Sequence, residues 1–291
     1  MKFYRIYIEL TNVCGLKCSF CPSKNLPAKQ MDLAFFESVI KQAKAYTKEI
    51  ACHVVGDPLT LSNLCEYLDI VYKHKLKAVL TTSGYFLRKH PYDTLFHPSV
   101  KQINISLNSF NKNDTAWTFE QYIIPVLDLC DAKRKRANKA FVNLRLWNLD
   151  EAMSEFDFNR MLFDTFSRHF ETKLDLAAIY RERPKSIRLA DKILLHFDTY
   201  VEWPSLKNQY YGDGTCQGLQ SHIAILASGK VVPCCLDCDG VMELGDLHCQ
   251  SMDEIIHSRR ALAIRQGFKE NKAVEELCQK CSYKKRFASK T

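Results

Sequence analysis

The chain has 291 residues, is 46% hydrophobic and 25% charged, and carries a formal net charge of +8. This composition excludes a disordered or collagen-like chain, and the lack of any run of about 18 apolar residues excludes a membrane-spanning helix. The charge attracts anionic partners without selecting nucleic acid among them. Thirteen cysteines, with no apolar signal-peptide core at the start, point to metal ligands and buried thiols in a reducing, cytoplasmic compartment rather than to disulfides.

From residue 3 to about 170, strand-like and helix-like segments alternate. Strands are expected at 3–10, 49–55, 77–82, 101–107 and 140–147, and a sixth at 174–180, each an apolar, β-branched or aromatic run. Between them, Asp32 caps a helix with the apolar stripe Leu33, Phe36, Ile40 and Ala43. Leu61, Leu64, Cys65, Leu68, Val71 and Tyr72 make a second stripe. Phe119, Tyr122, Ile123, Val126, Leu127 and Cys130 make a third, in which Pro125 must kink the helix or mark its start. The basic run 133–136 closes that helix, where cations complement the dipole, and a solvated face is expected for it. Ser154 to Asp157 reads as a capping box opening a helix to about 170. Cys52, Cys65 and Cys130 have no partner spacing and are expected as buried thiols. Alternation of this kind implies an α/β fold with parallel strands and right-handed crossovers; a doubly wound sheet and a barrel both satisfy it.

Residues 181–214 are charged and weakly patterned and are expected to connect two domains. Cys216 follows, then a strand-like run at 221–226, a Ser228-Gly229 turn, and Val231-Val232 leading to Pro233-Cys234. This reads as a hairpin with a cysteine at each open end. A capping box from Ser251 to Glu254 starts a helix to about 266, and Cys278-Gln-Lys-Cys281 completes the pattern. Four thiolates brought together leave no ligand position open, and sequence chemistry alone allows either Zn2+ or an iron–sulfur cluster.

The first cysteine group, Cys14-Gly-Leu-Lys-Cys18-Ser-Phe-Cys21, follows the first strand. At this cysteine content about 0.03 matches to a CxxxCxxC spacing are expected by chance. Three thiolates in so short a loop converge on one soft-metal centre, and three ligands on a four-iron cluster leave one iron open. A structural zinc site wants a fourth ligand, and the next candidates, Cys52 and His53, lie beyond a predicted helix. The triplet, with Phe20 before its third cysteine, resembles the signature of the radical S-adenosylmethionine (SAM) enzymes.

That resemblance implies a partial (β/α)6 TIM-like barrel over 1–182, a connection over 183–214 and a small auxiliary-cluster domain over 215–291. It implies that Cys14, Cys18 and Cys21 hold a 4Fe-4S cluster whose open iron binds SAM. Gly56-Asp57-Pro58, after the second strand, is similar to the family's Gly-Gly-Glu-Pro turn, with Val55 and Asp57 departing from it. SAM contacts are therefore expected at Gly56, Asp57 and Pro58. Thr82-Ser83-Gly84 is close to the family's Thr-Asn-Gly turn. Ser106 and Asn108 suit a SAM ribose or carboxylate, and Arg145 suits the SAM carboxylate or a substrate anion. His53 is expected to be structural, or else a proton shuttle. The spacing Cys216-x12-Gly229-x4-Cys234, with Gly245-Asp246-Leu247 and the late CxxC, is similar to the SPASM/twitch extension. Its shortened form implies one auxiliary 4Fe-4S cluster on Cys216, Cys234, Cys278 and Cys281, with Cys235, Cys238 and Cys249 spare.

The implied function is reductive cleavage of SAM to a 5′-deoxyadenosyl radical and abstraction of a substrate hydrogen atom. The auxiliary cluster would relay electrons, and flavodoxin or ferredoxin would supply them. Strand one starts too close to residue 1 for an added peptide-binding domain, which favours a small molecule over a peptide or RNA. The rival from another class is a zinc-bound, basic RNA-binding or scaffold protein.

Overall fold

The computed structural model describes residues 2–22, 26–149 and 155–287. The apolar N-terminal run forms β1 (Arg5–Ile8), and Asp32 opens α1 (Leu33–Ala43) by accepting from the amides of Ala34 and Phe35 at 2.9 and 3.1 Å. Then come β2 (Glu49–Ala51), α2 (Leu64–Lys73), β3 (Lys77–Thr82), the single turn α3 (Tyr92–Leu95), β4 (Val100–Ser106) and the turn α4 (Asn108–Asn111). A reciprocal capping box between Thr118 and Gln121 opens α5 (Phe119–Lys135). It is followed by β5 (Phe141–Leu146), α6 (Phe156–His169), α7 (Leu176–Glu182), β6 (Ser186–Ala190) and β7 (Ile193–Phe197). The hairpin β8 (His222–Ile225) and β9 (Lys230–Val232) precedes β10 (Gly245–Asp246), α8 (Met252–Ile256), α9 (Arg259–Lys269) and α10 (Glu276–Gln279). No helix among the described residues is long and apolar enough to cross a membrane.

The chain divides into two compact units. The first holds the residues up to Gly15, Cys21–Ala78, and the chain from Val201 onward. Its strands run in the order β10-β9-β8-β1-β2, with β1 parallel to both β2 and β8. Ile6 stands in register with Ile50 and Ile223, and all three are fully buried, so one sheet face is aliphatic. The other face is polar. Arg5 pairs with Glu49 there, and the Tyr7 ring meets His53 and His222 edge-on at 5.6 and 5.7 Å.

The second unit holds Leu16–Phe20 and Val79–Tyr200, with strand order β3-β4-β5-β7-β6. Strand β5 is parallel to β4 and β7, and β6 pairs antiparallel with β7. Ile103, Ile105, Val142, Leu144, Leu146, Ile193 and Leu195 are fully buried along one face. In neither unit do the described strands close into a ring, as expected of a partial barrel.

The structure changes several expectations. The segment expected as a sixth strand is the helix α7. Asp175 caps it by accepting from Ala178 N at 2.9 Å, and Ile179, three residues after Leu176, is buried. The strand beside β5 is instead β7, which comes from the segment read as a connection. Cys65 is exposed, because α2 turns Leu64, Tyr67, Leu68 and Val71 inward and the neighbouring thiol outward. Cys52 and Cys130 are buried as expected, and burial pushes both thiols up to about 12. Pro125 lies inside α5 and does not start it, since the Thr118 capping box fixes the start. Lys133 is buried rather than solvated, and its ammonium donates to Asp191 O at 2.8 Å. The helix expected to reach 266 breaks at His257, and Ser258 caps its continuation α9. Ser154 lies outside the described residues, and α6 starts after Glu155 with no side-chain cap.

Asp175→Ala removes a helix cap and is expected to cost about 1 kcal/mol. A urea midpoint unchanged from wild type would restore the strand reading. His222 supplies a second test. Burial, with Arg5 adding, lowers its pKa from 6.5 to about 4. The unfolded chain therefore takes up that proton first, so stability held above pH 6.5 falls as pH drops toward 4, by about 1 kcal/mol per unit. His222→Gln should flatten the fall in urea midpoint below pH 6.5; equal slopes in the two proteins would refute the burial.

Candidate functional site

In the first unit, the end of β1 is tied down by a carboxylate. Glu9 is 2% exposed; its Oε1 accepts from Val55 N and its Oε2 from Ala227 N, both at 3.1 Å. Beyond it the backbone is pinned by side chains. Thr11 Oγ1 donates to Lys29 O and accepts from Val13 N, and the Asn12 amide bridges Pro27 O and Lys29 N. The turn after β2 seats directly on this segment. Asp57 N donates to Val13 O at 3.0 Å, and a Cβ on Gly56 would lie 1.8 Å from Thr11 O. Asp57 itself is buried, and its Oδ1 accepts from Leu59 N at the Pro58 turn. Gly56, Asp57 and Pro58 are thereby brought onto the lead-in to Cys14, which is half-buried, while Cys21 is exposed.

In the second unit, the middle of the cysteine loop is held from the segment after β4. Lys17 N donates to Asn113 Oδ1 at 3.0 Å, Ser19 N to Lys112 O at 2.8 Å, and the buried Cys18 thiol lies 3.9 Å from Ser109 O. Phe20 stacks on Tyr200 at 5.5 Å. Lys112 stands over the Tyr200 ring and pairs with the buried Glu155, which also accepts from Tyr200 OH and Asn148. Single-sequence reading missed this network, because its members are scattered from 112 to 200 without a spacing pattern.

The strand ends of the same unit carry the remaining expected contacts. Tyr122 OH lies 2.9 Å from Ser83 O and 3.2 Å from Ser106 O, fixing both turns. Asn108 is buried, and its Oδ1 accepts from Trp147 N at 2.7 Å, so its amide serves the fold. Ser106, Arg145 and His196 are neighbours in register across β4, β5 and β7. Below them, Asn104 and Asn143 pair in register, and Asn143 Nδ2 donates to Asn104 Oδ1 at 3.3 Å. Opposite the aliphatic face, these side chains form a polar one. Asn143 Oδ1 and His196 Nδ1 are buried without a hydrogen-bond partner. Burial and the adjacent Arg145 lower the His196 pKa, which keeps its ring neutral. A buried amide oxygen and a buried imidazole nitrogen left open in this way call for a polar molecule.

The late cysteines converge in the first unit. Cys234 feels Cys235, then Cys216 and Cys278; Cys278 feels Cys216 and Cys281; Cys281 and Cys235 each feel Cys216. Burial pushes all four thiols up; neighbouring cysteines add to it at Cys234, Cys278 and Cys281, while the Gly218 and Gln217 amides and Lys284 pull Cys216 back down. Four thiolates coexist in such a place only around a cationic centre, so the donor set fits a bound metal group. Among the described residues, no three Cys, His, Asp or Glu side chains draw tightly enough together to enclose a single ion; a cluster of several irons holds its thiolates farther apart than one zinc does. Met242 Sδ lies 3.5 Å from Cys278 Sγ on a loop organised by the buried Asp237, which accepts from Val241 N and Met242 N. Cys235 and Cys238 also pack beside Val54, Ala224, Leu226 and Val232, and Cys249 is exposed.

Residues 8–152 match the model of the radical SAM superfamily, and residues 216–282 match that of an iron-sulfur cluster-binding domain. The chain is similar to the S-adenosyl-L-methionine-dependent 2-deoxy-scyllo-inosamine dehydrogenase of Niallia circulans, at 23% identity over 126 residues. That match covers 41% of this chain and 50% of the relative's length. Its fold is similar to the crystal structure of BtrN in complex with AdoMet and 2-DOIA, with a TM-score of 0.64 at 17% identity, over 97% of this chain and 94% of that one. It is also similar to Streptococcus suis SuiB bound to its precursor peptide SuiA, with a TM-score of 0.59 at 15% identity, over 100% and 74% of the two chains. The chain belongs to the radical SAM superfamily and is a radical SAM enzyme with a C-terminal iron–sulfur cluster-binding domain.

Proposed function

We propose that the enzyme oxidises a small polar molecule after SAM-derived hydrogen abstraction, and that one auxiliary cluster accepts the electron. The observation that carries this reading is the convergence of Cys216, Cys234, Cys278 and Cys281 on one site. Four thiolates close a cluster's ligand set, which suits electron transfer better than substrate ligation. The small polar substrate is supported by the open polar atoms of Asn143 and His196 and by the dehydrogenase among the relatives. The fold alone does not choose, since a peptide-bound protein shares it.

In this reading Cys14, Cys18 and Cys21 hold the first cluster. When bound and reduced, that cluster supplies the electron that cleaves SAM to methionine and a 5′-deoxyadenosyl radical. Phe20, the Gly56-Asp57-Pro58 turn, Ser83 and Ser106 contribute to SAM binding. Arg145 offers a planar, two-pronged cation to a carboxylate, and Asn108 acts by holding the Trp147 backbone. Asn143 Oδ1 accepts a hydrogen bond from a hydroxyl or amino group of the substrate, and the neutral His196 ring hydrogen-bonds beside it. We place the end of the core after β7 rather than at 182, the auxiliary domain from 215, and the enzyme in the cytoplasm with a flavodoxin- or ferredoxin-type donor.

After anaerobic reconstitution, Cys14→Ala, Cys18→Ala or Cys21→Ala should abolish 5′-deoxyadenosine formation. Cys278→Ala with Cys281→Ala should halve the iron while SAM still binds. Stoichiometric zinc, with no 5′-deoxyadenosine from SAM, would overturn the reading. Gly56→Ala forces the backbone apart at Thr11 and is expected to empty the N-terminal cluster site and lose SAM binding while the C-terminal iron stays. Full iron and wild-type SAM affinity in that variant would detach the turn from the site.

A further inference from the structure

Lys284 lies three residues beyond Cys281 in a run of basic residues, where sequence alone suggests a solvated side chain. It is 5% exposed. Its ammonium donates to the carbonyls of Cys278 at 2.9 Å, Gln279 at 3.3 Å and Cys281 at 3.1 Å, which are the backbone of the CxxC turn itself. The stem is housed as well. A Cβ on Gly214 would come within 3.1 Å of Lys284 Cδ, and the Tyr211 ring lies 5.7 Å from its nitrogen. Three carbonyl dipoles satisfy the hydrogen bonds of an ammonium without cancelling its charge, and a buried cation lacking a counter-charge is strongly unfavourable. Among the described residues it forms no salt bridge with a carboxylate. The charged groups close enough to act on it are Cys281 and Cys278, then Lys285 and Asp213, and it acts in turn on Cys216.

We propose that Lys284 is the built-in counter-charge of the C-terminal cysteine site, balancing a thiolate-bound cluster and raising its reduction potential. This rests on reading Cys216, Cys234, Cys278 and Cys281 as the ligands of that cluster. One-electron reduction adds one negative charge to the site, and a fixed cation in a low-dielectric surrounding favours the more negative state. A site meant to take an electron from a substrate radical gains from that bias; a purely structural cluster does not need it.

The test is a redox titration followed by electron paramagnetic resonance on the full chain carrying Cys14→Ala, Cys18→Ala and Cys21→Ala, so that only the C-terminal cluster is observed. At the potential where half of this reference protein is reduced, fewer than about one in ten clusters of Lys284→Met should be reduced, while Lys284→Arg should stay near one half. A Lys284→Met protein titrating at the reference midpoint overturns the proposal. If that variant holds no iron, Lys284→Gln decides, because it keeps a donor to the carbonyls without the charge. The same downward shift upholds the counter-charge, and an unchanged midpoint overturns it. Iron retained by Lys284→Arg and lost from both neutral variants also upholds it, whereas loss from all three overturns it. A reference protein holding zinc or no iron overturns the ligand assignment, and this proposal with it.

Discussion

The N-terminal site hangs on a single backbone approach, that of Gly56 to Thr11 O, where no Cβ can be accommodated. Through it the turn after β2 and the segment leading to Cys14 become one piece, stitched further by Asp57 N to Val13 O. Glu9 extends the stitching, since it binds Val55 N on one side and Ala227 N on the other. These contacts fall on the two positions at which the turn differs from the Gly-Gly-Glu-Pro it resembles. Val55 needs only its amide for Glu9 and packs its side chain beside Val54, Ala224 and Val232. Asp57 needs only one oxygen for Leu59 N. The position that cannot vary is Gly56.

Much of the sheet was legible because strand burial alternates along the sequence. The run at 77–82 is β3 to the residue, and Val142, Leu144 and Leu146 alternate in β5 as an apolar face must. The misreadings share a physical cause. In α7, a β-rich apolar run is overridden by the Asp175 cap and two alanines, which let the helix close locally. β6 and β7 were hidden because Arg188, Lys192 and His196 dilute the apolar signal; they become a hairpin through pairing with each other and with β5. Lys133 looks solvated in sequence, and only the fold supplies the carbonyl that buries it.

The two cysteine groups also differed in how well they could be read. The first is a short local pattern, so its spacing alone implied convergence. The second spans residues 216 to 281, and its convergence depends on a hairpin, a loop organised by Asp237 and the final turn. Cys234, Cys278 and Cys281 each feel other members of the expected set, but Cys235 acts on Cys234 as well, while packing with Cys238 beside Val54 and Leu226. The mutual repulsion of the four is the same property that makes them useful, because they stay together as anions only if something positive lies among them.

Within the first triplet the sulfurs are not equally sheltered: Cys18 is buried, Cys14 half-buried and Cys21 exposed, whereas Cys216, Cys234, Cys278 and Cys281 are all half-buried. Oxidants reach sulfur by access, so damage in air starts at Cys21. In the two-cluster reading proposed above, the centres therefore age differently: a preparation left exposed to oxygen keeps iron at the C-terminal set after it has lost the power to begin the reaction.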